Sequence, residues 1–161
     1  MNNFQLQVHV MKNSRLSQAC LALAVPFILA GPVHAEPNAN KALVQKAMTE
    51  LFVKRDAGAV DRYWGADYIQ HNPTIANGSG ELPGIVKSLP AGFKYEPGMI
   101  TAQGDIVMIH GRYTGWSAHP LVVVDIFRVK GGKLVEHWDV VQDEVAADKT
   151  KSGNPMFTSG E

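Results

Sequence analysis

The chain has 161 residues, of which 45% are hydrophobic and 19% charged, and its 15 basic side chains balance 15 acidic ones. This length is enough for one domain with its own hydrophobic core. The balance of charge excludes the basic excess that is typical of nucleic-acid-binding domains, so no nucleic acid partner is expected.

Residues 1–35 have the pattern of a secretory signal peptide. Lys12 and Arg15 form a basic start, residues 16–30 are largely apolar, and a small-x-small cleavage site follows a Gly-Pro break. We therefore predict a cleaved signal peptide and a single domain in residues 36–161. An uncleaved membrane anchor is the alternative, but the apolar run is short for a membrane span.

The only cysteine, Cys20, lies within the predicted signal peptide. The mature chain would therefore need no disulfide in an oxidising compartment. Cys20 lacks the upstream leucine that usually precedes a lipidated cysteine, so a lipid anchor is not expected. Either Met1 or Met11 could be the first residue. These features predict a periplasmic or secreted protein that has no membrane association after cleavage.

The first part of the predicted domain is helical. Asn40 is a plausible N-cap, and apolar residues then recur at helical spacing as far as about Lys54. A second short helix is predicted at Ala59–Trp64. A short strand at Tyr68–Pro73 and a loop precede a third short helix, which is predicted at Leu82–Leu89.

The second part of the domain is predicted to be rich in β-structure. Strands are expected at Phe93–Thr101 and Asp105–Tyr113, and the alternation of the second strand places His110 and Arg112 on one face. A loop that carries Trp116 follows. Core residues would then end near 145, and a polar tail at 146–161 would dock locally through its Met-Phe pair.

A hairpin at Pro120–Gln142 is the strongest local signal. Two runs rich in Val, Ile and Phe are joined by a pair of glycines, a pattern typical of a tight turn between antiparallel strands. Two turns fit this sequence. A two-residue type I′ turn would pair Lys130 with Lys133, whereas a type I turn with a glycine bulge would pair Val129 with Lys133.

The turn decides which side chains share a face, because a shift of one residue moves every side chain to the other face. We favour the bulged turn, because it places Asp125 with His137 and Asp139 on one face. It also brings Arg128 near Glu136 as a cross-strand ion pair. In this register one face carries Val123, Asp125, Phe127, Val135, His137, Asp139 and Val141, and the other carries Val122, Val124, Ile126, Arg128, Leu134, Glu136, Trp138 and Val140.

Helices followed by a run of antiparallel strands predict an α+β fold with the helices on one face of a curved sheet. Such a sheet would wrap around the N-terminal helices and enclose a cavity. The apolar outer face of the hairpin, with Trp138 among Val122, Val124, Ile126 and Val140, would need a cover. We therefore predict a homodimer through the outer face of the sheet.

Asp139, His137 and Asp125 are the predicted catalytic residues. Positions two apart on a strand point the same way, so His137 and Asp139 point together, and the favoured register adds Asp125. A carboxyl group in an apolar cavity keeps its proton more strongly, and a neighbouring imidazole can exchange that proton. The alternatives are a buried hydrogen-bonded network that only fixes the hairpin, or a solvated face.

Further residues are predicted to bind a ligand. Arg112 could hold an anionic or enolate oxygen, and His71 is expected at the rim of the cavity. Tyr68, Trp64 and Trp116 could line the cavity or could instead pack in the hydrophobic core. His71, His110, His137 and Asp139 could converge on a metal ion, but no tight ligand spacing demands a metal site, so neither a metal nor another cofactor is expected. The candidate ligand-binding residues are His71, Arg112, His110, Tyr68, Trp64 and Trp116.

The order of elements and three local patterns resemble the SnoaL-like polyketide cyclase family. The patterns are YIQHNP at Tyr68–Pro73, VVDIFR at Val123–Arg128 and GKLVEHWD at Gly132–Asp139. Within the family, the chain looks most like the SnoaL-like aldol-condensation subgroup. The resemblance implies the cone-shaped α+β barrel that this family shares with nuclear transport factor 2, ketosteroid isomerase and scytalone dehydratase.

The resemblance also implies roles for single residues. Asp139 falls near the acid/base aspartate of the cyclases, and Asp125 matches the position of the protonated aspartic acid in ketosteroid isomerase. The general base of that isomerase would fall at Asn72, which cannot take a proton. The first helix also has no tyrosine to act as the second oxyanion donor, which argues against steroid isomerisation.

Two functions fit these observations best. The first is an exported, cofactor-free enzyme of the lyase or isomerase type. It would bind a small, mainly apolar carbonyl compound and transfer protons in an aldol-type cyclisation, an isomerisation or a dehydration. The second is a non-catalytic periplasmic module that binds a small molecule in the same cavity. A dimer whose cavity is filled by its own side chains is a third, structural interpretation.

Overall fold

A computed structural model describes residues 37–160 of the chain. The predicted signal peptide, residues 1–35, lies outside the described residues. Within the described part of the chain, no helix is both long enough and apolar enough to cross a membrane.

In residues 37–160, three α-helices lie close to where the sequence predicts them, two before the first strand and one after it. They are α1 at Pro37–Met48, which continues as a π-helical segment at Thr49–Val53, α2 at Ala59–Tyr63 and α3 at Leu82–Ser88. Val44 and Leu51 are fully buried and fix the face that α1 and its extension turn toward the sheet.

The N-cap predicted at Asn40 is wrong. The helix begins at Pro37, a residue whose fixed φ and missing N–H suit the first turn. Asn40 instead lies inside the helix and is buried. Its Nδ2 donates a hydrogen bond of 3.1 Å to the carbonyl oxygen of Gly104, so it ties the helix to the sheet.

The described part of the chain has five strands, which form one mixed sheet in the order β1-β5-β4-β3-β2. β1 runs parallel to β5, and the other neighbours are antiparallel. This architecture confirms the predicted α+β class. The strands are β1 at Trp64–Gln70, β2 at Lys94–Gln103, β3 at Ile106–Thr114, β4 at Leu121–Lys130 and β5 at Lys133–Asp143.

The core lies between the helices and the inner face of the sheet. On β3, Val107 and Ile109 are fully buried and face the helices, while His110 and Arg112 alternate with them and point outward. β1 begins at Trp64, earlier than predicted, and ends at Gln70. Its pairing with β5 is irregular between Trp64 and Ile69.

The turn favoured for the hairpin is wrong, because Lys130 pairs with Lys133 across a two-residue loop. Gly131 and Gly132 have φ values of 58° and 73°, which is the geometry of a type I′ turn.

A bulge on β5 then restores the predicted faces farther along the hairpin. Val129 pairs with Leu134 but Arg128 pairs with Glu136, so Val135 is an extra residue in the ladder. As a consequence Leu134, predicted on the outer face, is fully buried in the core.

Candidate active site

A pocket of about 390 Å³ lies between the helices and the inner face of the sheet. Its polar groups gather at one end, where β4, β5 and the residues that follow β1 meet. They include Gln70 at the end of β1, Asn72, Asp125, His137 and Asp139. Most of the remaining wall is apolar or aromatic and includes Met48, Leu51, Phe52, Trp64, Tyr68, Leu82, Tyr113, Trp116, Leu121 and Val141.

Asp125 and His137 form a buried hydrogen-bonded pair. Asp125 is 4% exposed and His137 is 7% exposed, and Asp125 Oδ1 lies 3.2 Å from His137 Nε2. The other carboxyl oxygen, Oδ2, accepts a 2.8 Å hydrogen bond from the hydroxyl of Tyr113 on β3. Both oxygens of this buried carboxyl group are therefore satisfied, as burial requires.

His137 is held from its other side by Gln70. The distance from His137 Nδ1 to Gln70 Oε1 is 2.8 Å. The same amide oxygen accepts a 2.9 Å hydrogen bond from the backbone N–H of Asn72. The parallel pairing of β1 with β5, in which Gln70 lies opposite His137, brings these residues together.

Asp139 lies directly opposite Asp125 in the ladder between β4 and β5. Its Oδ2 accepts a hydrogen bond of 2.5 Å from Asn72 Nδ2. Asn72 is itself oriented by Thr74, whose backbone N–H and hydroxyl donate to Asn72 Oδ1 at 2.8 and 2.7 Å. Asp139 is thus a partly buried carboxyl group that accepts from a neutral amide.

The tyrosines around the polar end are neutral hydrogen-bond donors. Burial raises the pKa of Tyr113 well above its ordinary range, and the nearby Asp125 carboxyl group raises it further. Burial likewise raises the pKa of Tyr68 and of Tyr95. These hydroxyl groups keep their protons at neutral pH, so they can stabilise negative charge on an oxygen atom.

Among the described residues, Asp125, His137 and Asp139 also form a group that could hold a metal ion. Each offers one ligand atom, and these atoms all lie within 4.8 Å of one another. Nitrogen and oxygen donors of this kind suit divalent ions such as Zn²⁺ or Mn²⁺. The sequence predicts no metal, and that expectation stays a prediction.

Three of the predicted ligand-binding residues lie outside the pocket, which corrects their predicted location. His110 and Arg112 point away from the pocket, because they alternate with the buried residues of β3. Arg112 Nε instead bonds Glu144 Oε2 at 2.6 Å. His71 turns outward after β1, bonds Glu136 at 2.9 Å and stacks on Trp138 at 4.9 Å between ring centres.

The other predicted ligand-binding residues, Trp64, Tyr68 and Trp116, line the pocket. Sequence reasoning missed the contributions of Gln70, Asn72 and Tyr113. A signal for the first two was present, because residues two apart at the end of a strand point to the same side. Nothing in the sequence shows that this side meets His137 and Asp139.

The comparisons with known proteins agree with this fold. The family of SnoaL-like domains matches residues 44–137. This match covers more than half of the sequence, and the chain belongs to the SnoaL-like family. Comparison with curated proteins gives no match.

Several solved structures are similar to the chain. A proposed ketosteroid isomerase from Kribbella flavida has a TM-score of 0.58 at 16% identity, over 68% of this chain and 82% of that one. An LEH-like epoxide hydrolase from M. tuberculosis has a TM-score of 0.56 at 18% identity, over 67% and 86%. TsrD from Streptomyces laurentii has a TM-score of 0.53 at 18% identity, over 63% and 90%. At these identities the likeness shows the fold alone.

Proposed function

We propose that this chain is an exported, cofactor-free enzyme that transfers protons on a small, mainly apolar carbonyl compound. The reaction would be an aldol-type cyclisation, an isomerisation or a dehydration. The observation that carries the proposal is the position of Asp139 beside the bonded Asp125–His137 pair, at the polar end of an otherwise apolar pocket. The names of the similar structures, an isomerase and an epoxide hydrolase among them, agree with small-molecule chemistry.

The chemistry needs a base near the carbon next to the carbonyl group and a stabilising group near the carbonyl oxygen. Asp139 takes the proton from the carbon next to the carbonyl group, and the electron pair moves onto the carbonyl oxygen. A donor from the Asp125–His137 pair stabilises that oxygen, as an oxyanion hole does. The proton on Asp139 is then returned to another atom of the same substrate, so the enzyme ends unchanged.

The lining of the pocket favours a substrate without negative charge. Among the described residues that line it, none is Lys or Arg, whereas two are aspartates. Two charges of the same sign repel strongly where water is scarce, so a carboxylate or phosphate would be rejected. The volume of about 390 Å³ is within the range of pockets that bind small organic molecules.

Export and assembly are part of the proposal. Export rests on the signal-peptide pattern of residues 1–35. A homodimer is supported by the outer face of the sheet, where Met108 and Val140 are 40% and 65% exposed. Exposed apolar patches commonly mark interaction surfaces. The mass of the mature chain in solution tests this part, and a monomer at micromolar concentration would contradict it.

Binding is tested first with three compounds of one shape. These are 2-tetralone and the bicyclic analogues that carry a carboxylate or an ammonium group in place of the ketone. Trp64 and Trp116 line the pocket, so quenching of their fluorescence reports occupancy. We expect the ketone to bind and the carboxylate to bind roughly tenfold or more weakly. Equal affinity for the carboxylate would contradict the proposed substrate class.

Catalysis is tested with Asp139→Asn in a screen of enolisable ketones and aldehydes. We expect the substitution to lower kcat on the order of 10²-fold or more, while ligand affinity survives. Asp143→Asn is the matched control, because Asp143 lies on the same strand but is exposed outside the pocket. The rates are also measured with a chelator, and a loss of activity there would contradict a cofactor-free mechanism.

The alternative is a non-catalytic binding module with the same pocket. This alternative is favoured by Asn72, because Asn72 falls at the position of the general base in ketosteroid isomerase and cannot take a proton. For a binding module we expect affinity for the ketone without turnover at any pH, and Asp139→Asn would then change only affinity.

A further inference from the structure

A chain of hydrogen bonds crosses the polar end of the pocket and fixes where its protons are. Gln70 Oε1 accepts from the backbone N–H of Asn72 at 2.9 Å. A backbone N–H can only donate, so this contact identifies the Gln70 atom as the amide oxygen. The partner of that oxygen on the other side is His137 Nδ1, at 2.8 Å.

The contact with Gln70 determines the state of the imidazole ring. An amide oxygen only accepts, so His137 Nδ1 must carry a hydrogen atom. A neutral His137 would then present the lone pair of Nε2 to Asp125 Oδ1, which lies 3.2 Å away. Two lone pairs do not attract each other, so one further proton must lie between these two atoms. Asp125 Oδ2 is already occupied by the hydroxyl of Tyr113.

We propose that the Asp125–His137 pair holds one transferable proton and acts as the acid of the site, and that Gln70 is the positioning residue that keeps it there. This inference rests on the proposed function and assigns the roles of acid and base to different groups. Within the described residues Asp139 accepts only from the neutral amide of Asn72, and it is left as the base. The pair delivers its proton to the carbonyl oxygen as Asp139 removes one from carbon. The oxygen later returns its proton to the pair, and Asp139 gives its proton to another atom of the substrate.

The charges around the pair are consistent with this division. The titratable groups that face it are Tyr113 from β3, Tyr95 from β2, Tyr68 from β1 and Asp139 from β5, and the three tyrosines are neutral. The pair with its shared proton has no net charge, so Asp139 carries the single negative charge of the described pocket. One carboxylate opposite a neutral pair avoids the repulsion that two facing carboxylates would have.

The proton is tested directly by nitrogen-15 NMR of the ligand-free protein, with His137→Gln used to assign the ring signals. We expect Nδ1 of His137 to be protonated in the wild-type protein. In Gln70→Leu we expect the imidazole ring to lose its fixed tautomer. Gln103→Leu, in an exposed position at the end of β2, is the matched control. A wild-type ring with an unprotonated Nδ1 would overturn the inference, whatever the activity, and the same measurement decides it if Gln70→Leu does not fold.

Kinetics test the positioning role separately. We expect Gln70→Leu to lower kcat on the order of 10²-fold with little change in KM, because a ring in the wrong tautomer cannot deliver the proton. Gln70→Glu keeps an acceptor and adds a negative charge beside the ring. It should move the high-pH limb of the rate profile upward by roughly one unit or more. Unchanged profiles in both variants would contradict the role of Gln70. Absence of turnover with every substrate would instead contradict the proposed function and leave the NMR result standing.

Discussion

Asp125 and Asp139 lie directly opposite each other on β4 and β5, although the turn that joins these strands would by itself place them on opposite faces. The type I′ turn pairs Lys130 with Lys133, and a regular ladder from that pair would set Asp125 against Trp138. The extra residue Val135 shifts the ladder by one position and brings the two aspartates together. In this chain the site therefore depends on the exclusion of Val135 from the ladder, several residues away from it.

The first prediction concerns this bulge. Deletion of Val135 removes the extra residue and leaves a regular ladder in which Asp125 still faces Asp139. Insertion of one alanine after Val135 adds a second extra residue and turns His137 and Asp139 toward the outer face. We expect the deletion variant to keep its affinity for a neutral ketone and the insertion variant to lose it. Equal affinities in fluorescence titration would show that the register does not determine the site.

The second prediction concerns the turn. Gly131 and Gly132 both have positive φ, a region that costs a residue with a Cβ atom roughly 1–2 kcal/mol. We expect Gly131→Ala and Gly132→Ala each to lower the free energy of unfolding by about that amount in urea titrations. Gly84→Ala is the matched control, because a Cβ added there meets nothing within 4 Å. In the helix α3 it should raise stability by about 0.5–1 kcal/mol.

Much of the fold could be predicted because the signals are local. The alternation of Val107 and Ile109 with His110 and Arg112 gave the correct faces of β3. The turn could not be predicted, because a pair of glycines suits both geometries that were considered. The predicted faces near the aspartates were nevertheless correct, since the bulge at Val135 offsets the type I′ turn.

The candidate site was predicted only in part, because its remaining contacts join distant parts of the chain. His137 and Asp139 share a strand, so their common direction follows from the sequence. Gln70 and Asn72 reach them only because β1 pairs with β5 in parallel, and no local pattern contains that pairing. The sequence marks Asn72 only as the position of the isomerase's base, a role that an amide cannot fill, whereas the structure shows it as a donor to Asp139.

The third prediction concerns the residues that the structure places on the outer face. We expect His110→Gln and Arg112→Gln to leave ketone affinity and kcat within about twofold, because neither side chain points into the pocket. Arg112→Gln removes the ion pair with Glu144, and partly exposed pairs of this kind contribute about 0–1 kcal/mol. A tenfold loss of affinity in either variant, with the fold intact by circular dichroism, would contradict this placement.

The fourth prediction concerns alkaline pH. Burial raises the pKa of Tyr113 and Tyr95 well above the ordinary range, so the folded protein keeps protons that the unfolded chain releases near pH 10. The stability from this difference is complete below about pH 10 and is lost as the pH rises above it. We expect the free energy of unfolding to fall between about pH 9.5 and 11. Tyr113→Phe should make the free energy of unfolding fall less steeply with pH. An unchanged slope would contradict the raised pKa of Tyr113.

The fifth prediction concerns Asn72, whose amide donates to Asp139. In Asn72→Asp two carboxyl groups share this short contact, and one of them must hold a proton because like charges at this distance cannot both persist. Asp139 is then available as a base only at higher pH, so we expect the low-pH limb of the rate profile to move upward by roughly one unit or more. Asn77→Asp is the matched control, because Asn77 uses only its side-chain oxygen, as an acceptor from the backbone N–H of Gln70. If both variants shift the rate profile equally, the effect comes from added charge near the loop that follows β1. The pH dependence of Asp139 would then not depend on the amide of Asn72.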